Sequence, residues 1–126
     1  MLREIRQVRQ IAGQHARRWF TDDNWDLFVW HEGPKLLGFQ LTYDKDRSER
    51  AITWMEGEAP RLSRIDSGKA NGTAGGGMKT PILREDRGAL PADIVIRFHR
   101  DSAKIDAVAR RYVFSRLRVL VAEDAR

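Results

Sequence analysis

Cysteine is absent from this 126-residue sequence, so neither a disulfide nor a cysteine-ligated metal holds the fold together. The sequence also lacks any apolar run near the roughly 20 residues that a membrane span requires. Its first residues, MLREIRQVRQ, interleave charged and aliphatic side chains, which is not the pattern of a secretory signal. From these absences we expect a cytoplasmic protein with no membrane partner.

The composition is that of a globular protein, with 41% hydrophobic and 33% charged residues. A chain of this length supports one hydrophobic core, so we expect a single domain over residues 1–126. The formal net charge is +5, and the 18 arginines and five lysines are spread among 18 acidic residues. Nucleic acid is therefore one candidate partner, and a well-solvated surface of mixed charge is the alternative.

A β-hairpin is predicted in the central third of the chain. Residues 25–31 (WDLFVWH) and 36–43 (LLGFQLTY) are rich in aromatic and β-branched residues, and the turn-forming residues 32–35 (EGPK) separate them. Since alternate strand residues point to opposite faces, bulky side chains emerge on both faces of the first strand: Leu27 and Val29 on one face, Phe28 and Trp30 on the other.

Further strands are predicted over residues 50–55 (RAITWM) and 61–66 (RLSRID), and a short edge strand over 80–83 (TPIL). The glycine-rich residues 67–79 between the last two strands predict a flexible loop, because glycine raises the entropic cost of ordering.

Helices are predicted at both ends of the chain. Aliphatic residues every three positions from Leu2 to Ala12 favour a short amphipathic helix, although an edge strand is also compatible. Pro91 opens a helical stretch, and Asp101 and Ser102 offer an N-cap for a helix from Ala103 to about Val121. The apolar face of that helix comprises Ile105, Val108, Ala109, Tyr112, Val113 and Leu120.

The predicted fold class is therefore α+β: an antiparallel, four- to five-stranded meander sheet with C-terminal helices packed on one face. No motif in the sequence indicates catalysis. Residues 72–80 (GTAGGGMKT) differ from a phosphate-binding loop by one inserted methionine, and Pro81 prevents the helix that such a loop requires. Residues 44–48 (DKDRS) begin like a calcium loop but lack its later glycine and glutamate. We predict no catalytic residue, no metal site and no cofactor.

Seven polar, aromatic and basic residues on the predicted strands and turns are the candidate ligand-binding or partner-binding residues. They are Trp30, Gln40, Tyr43, Lys45, Arg50, Trp54 and Arg64. Aromatic residues on a sheet surface predict a non-catalytic module that binds a protein partner or self-associates as a homodimer. The alternative is binding of single-stranded RNA or DNA through a basic aromatic sheet face.

Four short segments resemble a group of small, uncharacterised bacterial proteins. The segments are Arg18-Trp19-Phe20, Gly38-Phe39-Gln40-Leu41, Tyr43-Asp44-Lys45 and Thr53-Trp54, and the similarity extends over about half of the chain, from Arg17 to Leu83. The resemblance implies kinship and a shared fold. It implies no activity, cofactor or catalytic residue, and the glycine-rich loop is not part of it.

Overall fold

The computed structural model describes residues 1–45, 49–66, 82–85 and 90–124. Seven strands form one antiparallel sheet in chain order, and two helices follow. The elements are β1 (Arg3–Ile5), β2 (Ala16–Thr21), β3 (Asp26–Glu32), β4 (Lys35–Tyr43), β5 (Arg50–Met55), β6 (Arg61–Asp66), β7 (Ile82–Glu85), α1 (Ile94–Asp101) and α2 (Ala107–Asp124). The α+β class and the antiparallel meander are confirmed, but the sheet has seven strands and not four or five.

The additional strands lie at the start of the chain. The helix favoured over Leu2 to Ala12 is wrong, and the alternative of an edge strand is correct for residues 3–5, which pair with β2 at the edge of the sheet. Leu2 is buried in the core, and its backbone N–H donates to the carbonyl oxygen of Asp101 at 2.7 Å. The spacing of the aliphatic residues is compatible with a helix, but this tertiary contact and the strand pairing override that local preference.

The predicted central hairpin is present as β3 and β4. Their register places Leu27 opposite Leu41 and Val29 opposite Phe39, with an irregularity after Trp30. The bounds of β5 and β6 agree with the sequence prediction. The glycine-rich loop predicted at 67–79 lies outside the described residues, as does the segment that resembles a phosphate-binding loop.

One hydrophobic cluster joins the sheet to the helices. From the strands it contains Phe20, Leu27, Val29, Phe39, Leu41, Tyr43 and Ile52, and from the helices Ile94, Phe98, Ala109, Val113, Leu117 and Leu120. Trp25, just before β3, also belongs to it and meets Phe98 edge to face at a centroid distance of 5.8 Å. Helices α1 and α2 therefore cover one face of the sheet, as predicted.

Helix α2 begins later than the sequence suggested. Asp101 ends α1 instead of capping α2, and the carboxylate of Asp106 accepts the backbone N–H groups of Val108 and Ala109 at 3.1 and 3.0 Å. An aspartate that accepts N–H groups of the first turn is a standard helix N-cap. The start shifts because α1 occupies the chain up to residue 101. Val108, predicted on the apolar face, is 58% exposed.

A cluster of polar contacts fastens α2 to the turn between β5 and β6. One carboxylate oxygen of Glu56 accepts the hydroxyl of Tyr112 at 2.6 Å and Nη2 of Arg116 at 2.8 Å. The guanidinium carbon of Arg116 lies 3.7 Å from the Tyr112 ring centroid. The tyrosine hydrogen bond is the largest influence that lowers the pKa of Glu56, and burial raises the pKa of Tyr112 well above its ordinary value.

Gly38 provides a test of close packing between β4 and β5. A Cβ atom at this position would lie 2.7 Å from the Cα atom of Met55, closer than real Cβ contacts. We expect Gly38→Ala to lower the free energy of unfolding by about 3 kcal/mol in urea titrations. Gly33→Ala is the matched control, because Gly33 has a φ of +58° but open space around it. It should cost only about 1 kcal/mol, from backbone strain. Equal losses in the two variants would contradict the steric argument.

Candidate binding surface on the open sheet face

The face of the sheet directed away from α1 and α2, called here the open face, has a row of three aromatic side chains. Trp19 lies opposite Phe28 on the neighbouring strand, and their rings stack at a centroid distance of 5.7 Å and an angle of 12°. Trp30 follows Phe28 by two residues on β3, and the centroids of their rings are 6.3 Å apart. All three side chains are half-buried. Trp19, Phe28 and Trp30 are called the aromatic row below.

Arg17 extends the aromatic row with a positive charge. It lies opposite Trp30 in the strand register, and its guanidinium carbon is 4.8 Å from the centroid of the Phe28 ring. Its Nε donates to the carbonyl oxygen of Arg9 at 3.1 Å. Within the described part of the chain, no carboxylate forms an ion pair with Arg17. Its charge is therefore available to an anionic partner.

A polar network closes one end of the aromatic row. One carboxylate oxygen of Asp26 accepts Nε1 of Trp19 at 3.0 Å and the hydroxyl of Thr21 at 2.6 Å. The other oxygen lies 3.2 Å from Nζ of Lys45, which also donates to the carbonyl oxygen of Asp22 at 2.9 Å. These bonds fix the orientation of the Trp19 indole and hold Lys45 in place.

Small and polar residues adjoin the row on β4 and β5. Gly38 lies opposite Trp30, and Gln40 lies opposite Phe28. The hydroxyl of Thr53 donates to Oε1 of Gln40 at 3.1 Å, which leaves the amide nitrogen of Gln40 as a hydrogen-bond donor beside the aromatic rings.

The strand register separates the seven candidate residues. Trp30 and Gln40 lie on the open face, and Lys45 lies at its edge. Tyr43, Arg50, Trp54 and Arg64 occupy register positions on the side that α1 and α2 cover, since Tyr43 lies opposite Arg50, Arg50 opposite Arg64, and Trp54 opposite the buried Phe39. Tyr43 is only 1% exposed. The structure therefore does not bring the seven together as one surface.

Sequence reasoning missed Arg17 and Trp19 as members of this surface. Both lie on β2, a strand that the sequence analysis did not assign. The alternation of Arg17, Trp19 and Thr21 on one face with Arg18 and Phe20 on the other was the available signal. The predicted strand β3 places Phe28 between the rings of Trp19 and Trp30.

Compared with protein-family models, curated proteins and solved structures, the chain matches none. The resemblance to small bacterial proteins therefore stays an expectation. No helix in the described ranges is long and apolar enough to cross a bilayer. In the same ranges, no three histidine, aspartate or glutamate side chains gather as potential metal ligands.

Glu49, close to the network of Asp26 and Lys45, should make stability depend on pH. Burial is the main cause that raises the pKa of Glu49, and the Asp26 carboxylate raises it further. A carboxyl with a raised pKa holds its proton more tightly in the folded state. The contribution of Glu49 to the free energy of unfolding is therefore most favourable below the ordinary pKa of 4.5. This contribution is lost as the pH rises through the pKa of the folded state.

We therefore expect Glu49→Gln, which resembles the protonated form, to raise the free energy of unfolding at neutral pH by up to about 1 kcal/mol. Urea unfolding at a series of pH values measures this, and the decline in stability above about pH 4 should become shallower. Glu58→Gln, at an exposed carboxylate in the turn after β5, is the control and should change nothing at neutral pH. A loss of stability in Glu49→Gln would refute the argument.

Proposed function

We propose that this chain is a non-catalytic binding module whose contact surface is the aromatic row with Arg17. The observation that carries the proposal is the position of Trp19, Phe28 and Trp30 on the face opposite α1 and α2. Three neighbouring aromatic rings that remain partly exposed form an apolar patch outside the core.

The chemistry of this surface is typical of a protein interface. Tryptophan, phenylalanine and arginine are enriched at the centre of such interfaces, where they supply most of the binding energy. The hydrogen bonds of Asp26 and the ring stacking hold the aromatic side chains in place before a partner arrives. Preorganised side chains lose less conformational entropy on binding, which favours affinity.

A second copy of the chain is the occupant that we favour. In a two-fold dimer each copy presents the same surface, so Arg17 of one copy can lie over the aromatic row of the other. A guanidinium over an aromatic ring is an attractive contact. The proposed function in this form is self-association through the open face.

Sedimentation of the purified protein over a range of concentrations tests this form. We expect wild-type protein to self-associate and Phe28→Ala to weaken the association by tenfold or more, about the effect of losing a central aromatic contact. Ile96→Ala is the control, because Ile96 on α1 is 72% exposed and remote from the aromatic row. It should associate like wild type. A wild-type protein that stays monomeric up to about millimolar concentration would overturn the self-association form.

Single-stranded nucleic acid is the second candidate, and the arginines of the open face favour it. By register, Arg3 and Arg61 lie on the open face with Arg17. Among the described residues, none of the three forms an ion pair. Aromatic rings that stack on bases, together with cations that neutralise phosphates, are the means by which sheet surfaces bind single strands. The net charge of +5 also favours binding of a negatively charged nucleic acid.

Fluorescence titration with a labelled single strand of RNA or DNA at low salt tests this candidate. We expect Arg17→Gln to weaken binding several-fold and to reduce the slope of log affinity against log salt by about one, since one phosphate contact is lost. Lys104→Gln removes an equal charge from the exposed segment between α1 and α2 and should bind like wild type. Absence of binding at low salt, or binding without salt dependence, would eliminate nucleic acid as the partner.

A further inference from the structure

A second surface, remote from the open face, contains a cavity lined in part by basic residues. A cavity of about 310 Å³ lies where the end of α1 meets the first turns of α2. Its lining residues are His99, Ala107, Arg110, Arg111 and Phe114. The volume is at the lower end of the range of small-molecule sites, about 300 to 1,000 Å³.

Arg110 is held in position beside this cavity. Its Nε donates to the hydroxyl of the fully buried Ser102 at 3.0 Å, and its Nη2 donates to the carbonyl oxygen of His99 at 2.7 Å. Both acceptors are neutral, so these bonds orient the guanidinium without neutralising it. The Nη1 group and one N–H of Nη2 remain as donors.

Among the described residues, no acid forms an ion pair with the arginines that line the cavity. In residues 90–124, neither Arg110 nor Arg111 forms an ion pair with a described carboxylate, and Asp106, the nearest acid in sequence, contacts Arg18 at 3.7 Å. The other described cavity, near β1, differs in this respect, because Glu4 and Asp106 line it together with its basic residues. Between these two described cavities, the one at α1 and α2 has two lining arginines and no lining acid.

The charge of the lining residues indicates the class of anion. Arg110 and Arg111 both line the cavity, next to His99 from α1. Two neighbouring guanidinium groups favour a phosphate monoester over a carboxylate, because the phosphate carries up to two negative charges and more acceptor oxygens. Ala107 and the Phe114 ring form an apolar wall, and the His99 ring packs 5.1 Å from Phe114.

We propose that this cavity binds a small phosphate monoester. Arg110 and Arg111 hold the phosphate oxygens, and the carbon portion of the ester lies against Ala107 and Phe114. The site does not involve the aromatic row, so it is independent of the proposed function.

Nuclear magnetic resonance titration of the full chain with phenyl phosphate tests the proposal. We expect saturable shifts of the signals of residues 99–114 and at least tenfold tighter binding than for inorganic phosphate, phenol or benzoate. Arg111→Gln should weaken phenyl phosphate binding about tenfold, and because Arg111 is exposed the variant should fold normally. Arg9→Gln removes an equal charge from an exposed loop and should bind like wild type.

The control ligands decide between the alternatives. Equal affinity for inorganic phosphate would overturn the role of the apolar wall, and equal affinity for benzoate would overturn the preference for phosphate. Shifts that do not saturate, or unchanged affinity in Arg111→Gln, would overturn the site itself.

Discussion

The contact between Trp25 and Asp101 is the interaction on which the arrangement of sheet and helices depends. The indole Nε1 of Trp25 donates to the Asp101 carboxylate at 2.9 Å, and its ring packs against Phe98 on α1. The backbone carbonyl of Asp101 accepts the N–H of Leu2, so the same residue also anchors the segment before β1. Hydrogen bonds, first from Arg100 and then from Trp25, hold the pKa of Asp101 below its ordinary value, so the charged form is favoured.

The two faces of the sheet have different consequences for the molecule. On the face toward α1 and α2, alternate residues such as Leu27 and Val29 are fully buried and stabilise the fold. On the open face, Phe28 and Trp30 from the same strand remain partly exposed, and burying them against a partner releases further free energy. Strand β3 thus contributes to both stability and the proposed binding. A substitution of Leu27 or Val29 therefore affects stability, whereas a substitution of Phe28 or Trp30 affects the proposed binding.

Local patterns predicted the central strands well and the ends of the chain poorly. The alternation in residues 50–55 and 61–66 is sufficient to define β5 and β6, because neighbouring residues decide it. The spacing around Ile5 fits a helix or a strand, and only pairing with β2 decides between them. Of the seven candidate residues, Trp30 belongs to the proposed surface, whereas the position of Tyr43 required knowledge of which face the helices cover, which depends on contacts distant in sequence.

The strictly consecutive order of the seven strands affects how the protein folds during synthesis. Each strand pairs with its neighbour in the chain, so the sheet can assemble one hairpin at a time. The contact of Trp25 with Asp101, by contrast, joins residues 76 positions apart. Because α1 and α2 leave the ribosome after the strands, the face that they cover stays exposed to water until residues 94–124 emerge. In that interval a sheet that has already formed presents apolar surface on both sides, and exposed apolar surface of this kind makes folding intermediates prone to aggregation.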